Sequence, residues 1–194
     1  CDHREELPNE SMKMSHVIYS DDGGTTWKLG ESVAPHTDEC QVIERADGRL
    51  MINMRNYWQR DGNRPDRGGK RAISLSDDAG ETWGELRFDD ALIEPVCQAG
   101  LIQLTADEGL KDHLVFTNPA STTDRARLTI RLSDDGGETW PHHRLLYAGS
   151  SAYSSPAQLS DGRIAVLCER DDYGKISFCT LSVESIMSAH GGER

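Results

Sequence analysis

The sequence predicts an all-β chain built from repeated β-propeller blades, and three observations carry that prediction. An eight-residue phrase recurs, as SDDGGTTW at 20–27, SDDAGETW at 76–83 and SDDGGETW at 133–140. The copies start 56 and then 57 residues apart, which is long enough for four short strands and their turns. Short β-rich runs bounded by turn residues fill the space between the copies, and no long amphipathic helix interrupts them.

Taken in order, the expected strands are HVIYS (16–20), QVIER (41–45), RLMINMRN (49–56), RAISLS (71–76), LIQL (101–104), HLVFTN (113–118), RLTIRLS (127–133), RIAVLCER (163–170) and KISFCTLS (175–182). A short helix is expected at 183–190. Cys40, Cys97, Cys168 and Cys179 read as small hydrophobes within strands. Five Cys without a CxxC pair argue against a metal site and against a dense disulfide framework. The seven His show no metal-ligand spacing, and His142-His143 reads as a solvated loop. No cofactor is expected.

The repeated phrase reads as a structural staple. In S-x-D-x-G-x-T-W the Ser and Asp side chains can bond nearby backbone. Gly24, Gly80 and Gly137 can take positive φ. Trp27, Trp83 and Trp140 are expected to pack under the turn. The phrase is repeated because the blade is repeated.

A second repeat places candidate functional residues. ECQVIERADGRLMINMRN (39–56) and YSSPAQLSDGRIAVLCERD (153–171) align on a shared DGR. Asp-Gly between two alternating apolar runs is a hairpin signal. Counting eight residues outward from Asp47 reaches Glu39 and Arg55, and the same count from Asp161 reaches Tyr153 and Glu169. Each pair should meet at the open mouth of its hairpin. Arg125 lies eight residues before Ser133 and should start a strand at that same end. Arg125, Arg127 and Arg131 read as one side of this strand, so position alone does not choose among them. The boxes and DG turns fall at the opposite end. Five polar side chains are thus expected on one face. Tyr57 and Trp58, directly after Arg55, read equally as packing residues or as the lining of a pocket on that face.

Composition excludes some partners. The 194 residues carry a net charge of -12, which argues against nucleic acid. No run of ~18 apolar residues could form a membrane span.

S-x-D-x-G-x-T-W is the Asp box of the sialidases (neuraminidases), and the chain resembles that family through most of its length. ECQV (39–42) and MRN (54–56) resemble the family's catalytic Glu and its second substrate-binding Arg. TNPASTTDR (117–125) resembles the segment carrying the third arginine. SAYS (151–154) resembles the nucleophilic Tyr segment, and LCER (167–170) the segment whose Glu holds the first arginine. The resemblance implies a six-bladed sialidase β-propeller, of which this chain covers about the C-terminal three to four blades as one domain over 1–194. It implies an exo-α-sialidase, a retaining glycoside hydrolase acting on sialylated glycans without metal or cofactor. In that reading Tyr153 is the nucleophile, Glu39 its base, Arg55 and Arg125 grip the substrate carboxylate, and Glu169 orients a further Arg. The family choice among the three arginines is Arg125.

The sequence departs from the family pattern in one respect. The early Arg-Ile-Pro segment and the early general-acid Asp are not found, and the chain opens at Cys1 in mid-pattern. The upstream half of the propeller is therefore expected outside this chain, whose sheet edges would otherwise stand open. A non-catalytic lectin, a structural ectodomain and a trans-sialidase are the competing readings. Tyr153 together with Glu39 speaks against the first and the arginine pair against the second. The same residues serve transfer as well as hydrolysis. Free thiols point to a reducing compartment and glycan substrates to an extracellular or periplasmic one, the latter being preferred.

Overall fold

The computed structural model describes residues 1–7, 10–60, 63–105 and 108–188. The chain divides into two compact units, Cys1–Asp90 and Ala91–Arg194.

The first unit opens with a hairpin of β1 (Asp2–Leu7) and β2 (Glu10–Ser15). The short pair β3 (Ile18–Tyr19) and β4 (Lys28–Leu29) flanks the first box. One whole blade follows as an antiparallel meander of β5 (Thr37–Glu44), β6 (Leu50–Asn56), β7 (Lys70–Ser76) and β8 (Arg87–Ile93), paired in that order. Its inner strands are covered on both faces, so β6 and β7 bury nearly every side chain. Ile52, Met54 and Ala72 form the packed centre, with Val17, Val33, Trp83, Leu86 and Phe88 against it.

The second unit is a meander of β9 (Gly100–Gln103), β10 (Leu114–Pro119), β11 (Ala126–Ser133), β12 (His142–Gln158), β13 (Ile164–Arg170) and β14 (Lys175–Leu181). β12 is long enough to serve two blades. Its first part pairs with β11 and its last part with β13. The core joins Leu104, Val115, Leu128, Ile130, Leu132, Ile164 and Val166. Helix α1 (Val183–Met187) adds Val183 and Ile186, and its N-cap Ser182 accepts from the Ser185 N–H at 3.1 Å.

The nine expected strands all appear, with shifted ends. β1, β2, β4, β8 and the first part of β12 were not among the expected strands, whereas the last part of β12 is the expected strand before the second DG turn. β1 and β2 are charge-rich, and β8 carries Asp89-Asp90 mid-strand, so neither shows clean apolar alternation. β12 corrects the reading of His142-His143. Both lie in the strand opposite Leu132 and Arg131, because pairing of backbone does not need apolar side chains. Cys97 is also corrected, being buried in the connection after β8 rather than in a strand. Cys40, Cys168 and Cys179 sit in β5, β13 and β14. The helix is shorter than expected, and residues 189–190 lie outside the described residues.

The boxes are self-contained hydrogen-bond knots. In the first, Ser20 Oγ accepts the Gly24 N–H at 2.8 Å and donates to Asp22 Oδ1 at 2.8 Å. Asp22 in turn accepts the Thr26 N–H at 2.8 Å and its hydroxyl at 2.7 Å. Ser76, Asp78, Gly80 and Thr82 repeat this, as do Ser133, Asp135, Gly137 and Thr139. Gly24, Gly80 and Gly137 take φ of 89°, 91° and 87°. Trp140 is buried and meets Phe116 at 5.8 Å, and Trp83 packs on the blade core. Trp27 departs from expectation. It bonds the Gly24 carbonyl at 3.2 Å yet stays 62% exposed, because its box is flanked by a two-residue strand pair rather than a full sheet.

The Thr26 N–H, then its hydroxyl and that of Ser20, lower Asp22 from an ordinary 3.8 to about 2. The Thr82 hydroxyl, then its N–H and Ser76, do the same for Asp78, also to about 2. Burial raises Asp135, but the Thr139 and Ser133 bonds outweigh it and the net shift is downward. A lowered carboxylate contributes stability that is complete above its ordinary value and lost as pH falls through the folded value. The urea midpoints of wild type and Asp78→Asn should therefore differ at neutral pH and converge between about pH 4 and pH 2.

The box residue before the conserved-geometry glycine is also left-handed, with φ of 68° at Gly23 and 71° at Gly136. Ala79 occupies that place in the second box at φ 60°. Ala79→Gly should raise unfolding stability by about 1 kcal/mol in denaturant titrations, because the Cβ penalty exceeds the added chain entropy.

Candidate active site

The two DG hairpins are built alike down to their irregularities. Gly48 and Gly162 take φ of 84° and 83°, and each turn closes by a backbone bond two residues out from the Asp, Arg45 to Arg49 and Leu159 to Arg163, both at 2.8 Å. Asp47 and Asp161 each accept the N–H two residues ahead at 3.1 Å. Regular pairing then runs to Cys40 opposite Met54 and to Ser154 opposite Cys168. Beyond it each hairpin carries a bulge, after which Thr37 faces Asn56 and Ser151 faces Arg170. Glu39 and Tyr153 sit inside these bulges. A bulge leaves a residue unpaired and re-aims its side chain.

In the first unit the bulge brings Glu39 onto Arg55. Arg55 Nη1 donates to Glu39 Oε2 at 2.6 Å, and Arg55 is only 7% exposed. The DG turn and second box share the far end of this blade, where Leu50 faces Ser76. Tyr57 is buried as a platform for cations. The Arg55 guanidinium lies 4.8 Å and Lys13 Nζ 3.3 Å from its ring centre, with Arg60 at 5.6 Å. Lys13 also pairs with Asp38 at 3.4 Å. Trp58 meets His36 edge to face at 4.7 Å, and Arg67 covers it at the same distance. Fixed guanidinium orientation suits bidentate recognition of a carboxylate.

In the second unit Arg125, Tyr153 and Glu169 lie together. Glu169 Oε2 accepts the Tyr153 N–H at 3.0 Å, and the Arg125 guanidinium is 5.9 Å from the Tyr153 ring centre. Glu169 turns toward Tyr153, while Arg170 turns away to Ser177 Oγ at 2.5 Å and the Tyr147 ring at 5.2 Å. The geometry also separates the three arginines. The expectation that they share one side is corrected, because β11 shifts register around Leu128 and Arg127 takes φ 62°. Arg131 is buried and donates to Asn118 Oδ1 at 3.2 Å. Arg125, just before β11, is the one beside Tyr153.

Several positioning groups were not legible in the sequence. Gln98 clasps the backbone next to Tyr153. Its Oε1 accepts the Ser154 N–H at 3.1 Å and its Nε2 donates to the Ser154 carbonyl at 3.1 Å. Ser154 Oγ lies 2.9 Å from Thr117 Oγ1. Gly100 allows this close approach. A Cβ there would lie 2.1 Å from Pro156 Cδ and 3.0 Å from the Ser154 carbonyl. Gln98 and Gly100 follow one another in CQAG, but nothing in that stretch announces its distant partner. Among the described residues no helix is long and apolar enough to cross a membrane.

The chain matches the family described as BNR repeat-like domain over residues 3–166. It is 36% identical over 156 residues to a sialidase of Micromonospora viridifaciens, covering 78% of this chain and 23% of that protein. It is 39% identical over 159 residues to a sialidase of Bacteroides fragilis, covering 79% and 28%. The chain thus spans about a quarter of the length of these relatives. Among solved structures, the Hadza microbial sialidase Hz136 superposes with a TM-score of 0.77 at 36% identity, covering 90% of this chain and 33% of that one.

Gly100→Ala should lower unfolding stability by about 1–3 kcal/mol, measured by urea titration, because β9 and the Ser154–Pro156 segment leave no room for a methyl group.

Proposed function

The chain belongs to the BNR repeat-like domain family, and from that premise we propose that it carries catalytic residues of an exo-α-sialidase acting on sialylated glycans. Its fold is the sialidase-type β-propeller, of which it covers a part. The observation that most supports the reading is the shared bulge of the two DG hairpins, which sets Glu39 against Arg55 and Tyr153 against Glu169 at equivalent places.

The chemistry follows from the substrate. Sialic acid carries a carboxylate on its anomeric carbon. Arg55 and Arg125 would bind that group through paired N–H donors. An anionic nucleophile would be repelled by it, whereas a neutral phenol is not. Tyr153 Oη attacks the anomeric carbon as Glu39 takes its proton. The glycosidic C–O bond breaks, and the departing oxygen collects a proton from a general acid. Water, giving its proton to the base form of that general acid, then attacks the anomeric carbon from the face the glycan left, the aryl glycosidic bond to Tyr153 breaks, Tyr153 recovers its proton from Glu39, and configuration is retained. Glu169 holds the Tyr153 backbone and so fixes where the ring enters. The resemblance of the LCER segment supports a role for Glu169 in orienting a further Arg.

Release of fluorophore from an aryl α-sialoside by the full-length protein tests the reading. Tyr153→Phe should reduce kcat by at least about a thousandfold while the protein stays folded. Undiminished turnover in that variant would remove Tyr153 from the mechanism. Binding of sialic acid without any turnover in wild type would favour a lectin.

A further inference from the structure

We infer that Tyr173 is a positioning residue for Arg125, delivered by a strained turn, and this rests on the reading that Arg125 binds the ligand carboxylate. Asp171, Asp172 and Tyr173 join β13 to β14 with φ of 54°, 53° and 67°. Three successive non-glycine residues in the left-handed region are unfavourable, and such a conformation persists only where its surroundings impose it.

The surroundings do so here. The Tyr147 hydroxyl donates to Asp171, Lys175 pairs with it at 2.9 Å, and the Asp171 N–H reaches the Ser150 carbonyl at 2.9 Å. Ser150 Oγ donates to Asp172 Oδ1 at 2.7 Å and accepts its N–H at 3.3 Å. The outcome of this network is one contact. Arg125 Nη1 donates to Tyr173 Oη at 2.8 Å. Tyr173 is 61% exposed, so burial of its ring does not account for its placement.

The other side of the guanidinium is held in a related way. Arg125 Nη2 donates to the Val96 carbonyl at 3.3 Å, and Val96 is itself left-handed at φ 56°, a rare state for a β-branched residue. Both acceptors are neutral and both ride on strained backbone. Together they set the plane of the Arg125 fork beside a cavity of about 310 Å³ lined by Arg125, Ser150, Ser151, Arg170, Asp172 and Tyr173. A guanidinium held in plane binds a carboxylate without first losing its own rotational freedom.

Tyr173→Phe keeps the ring and removes only the acceptor. The carboxylate is present in ground state and transition state alike, so the loss should fall on binding rather than on kcat. In the full-length protein, KM for an aryl α-sialoside and Kd for free sialic acid, by calorimetry, should both rise about tenfold, the size expected of one hydrogen bond to a charged group. The unfolding midpoint should not move. In an Arg125→Lys background the same substitution should change KM by less than about twofold, because the coupled partner is gone. Wild type that binds and turns over the probes, with Tyr173→Phe within twofold of it, overturns the inference alone. So does a penalty that persists undiminished in the Arg125→Lys background. Wild type that neither binds nor cleaves them overturns the functional reading and this inference with it.

Discussion

Register at the open end of two hairpins is the constraint on which the candidate site depends. A strand presents alternate side chains to alternate faces, so a slip of one residue would turn Glu39 away from Arg55 and expose what should be buried. The DG turns set the count at one end, each closed by backbone bonds and by an Asp side chain that grips the N–H two residues ahead. The bulge at the other end absorbs one extra residue and turns the strand. The boxes stabilise the turns that feed these strands but touch none of the five named side chains directly in the contacts described. The boxes and the candidate site residues thus lie at opposite ends of their strands.

Local charge at the site runs against the charge of the whole. The chain has 33 acidic and 21 basic residues, yet Lys13, Arg55 and Arg60 gather round one buried Tyr57 ring. An aromatic face attracts cations and holds them without neutralising them. Arg55 and Lys13 also pair with the Glu39 and Asp38 carboxylates, at 2.6 Å and 3.4 Å. The Tyr173 hydroxyl and the Val96 carbonyl both accept from Arg125.

Left-handed backbone outside glycine falls mostly near the candidate site, with Asn63 and Ala79 as exceptions. His36, Val96, Arg127 and the run Asp171–Tyr173 are left-handed without being glycine, and all lie within a few residues of, or in contact with, the named side chains. The boxes, which repeat a structural task, place glycine at the corresponding positions, with Ala79 as the exception.

The sequence by itself determined the strands, the boxes, the DG turns and the pairing of Glu39 with Arg55 and Tyr153 with Glu169. These follow from local periodicity and from counting along two neighbouring strands, because turn chemistry and strand alternation act over a few residues. It did not reveal β1, β2, β4, β8 or the first part of β12, whose pairing rests on backbone rather than on clean apolar alternation. Nor did it choose Arg125 over Arg127 and Arg131 by position, since the bulge that separates them leaves no mark in RARLTIR. Only the tertiary structure decided that Gln98 clasps Ser154, that Gly100 makes room for Pro156, and that Tyr173 reaches Arg125. Those contacts join residues tens of positions apart, and they exist only once the sheet has twisted and its strands have packed.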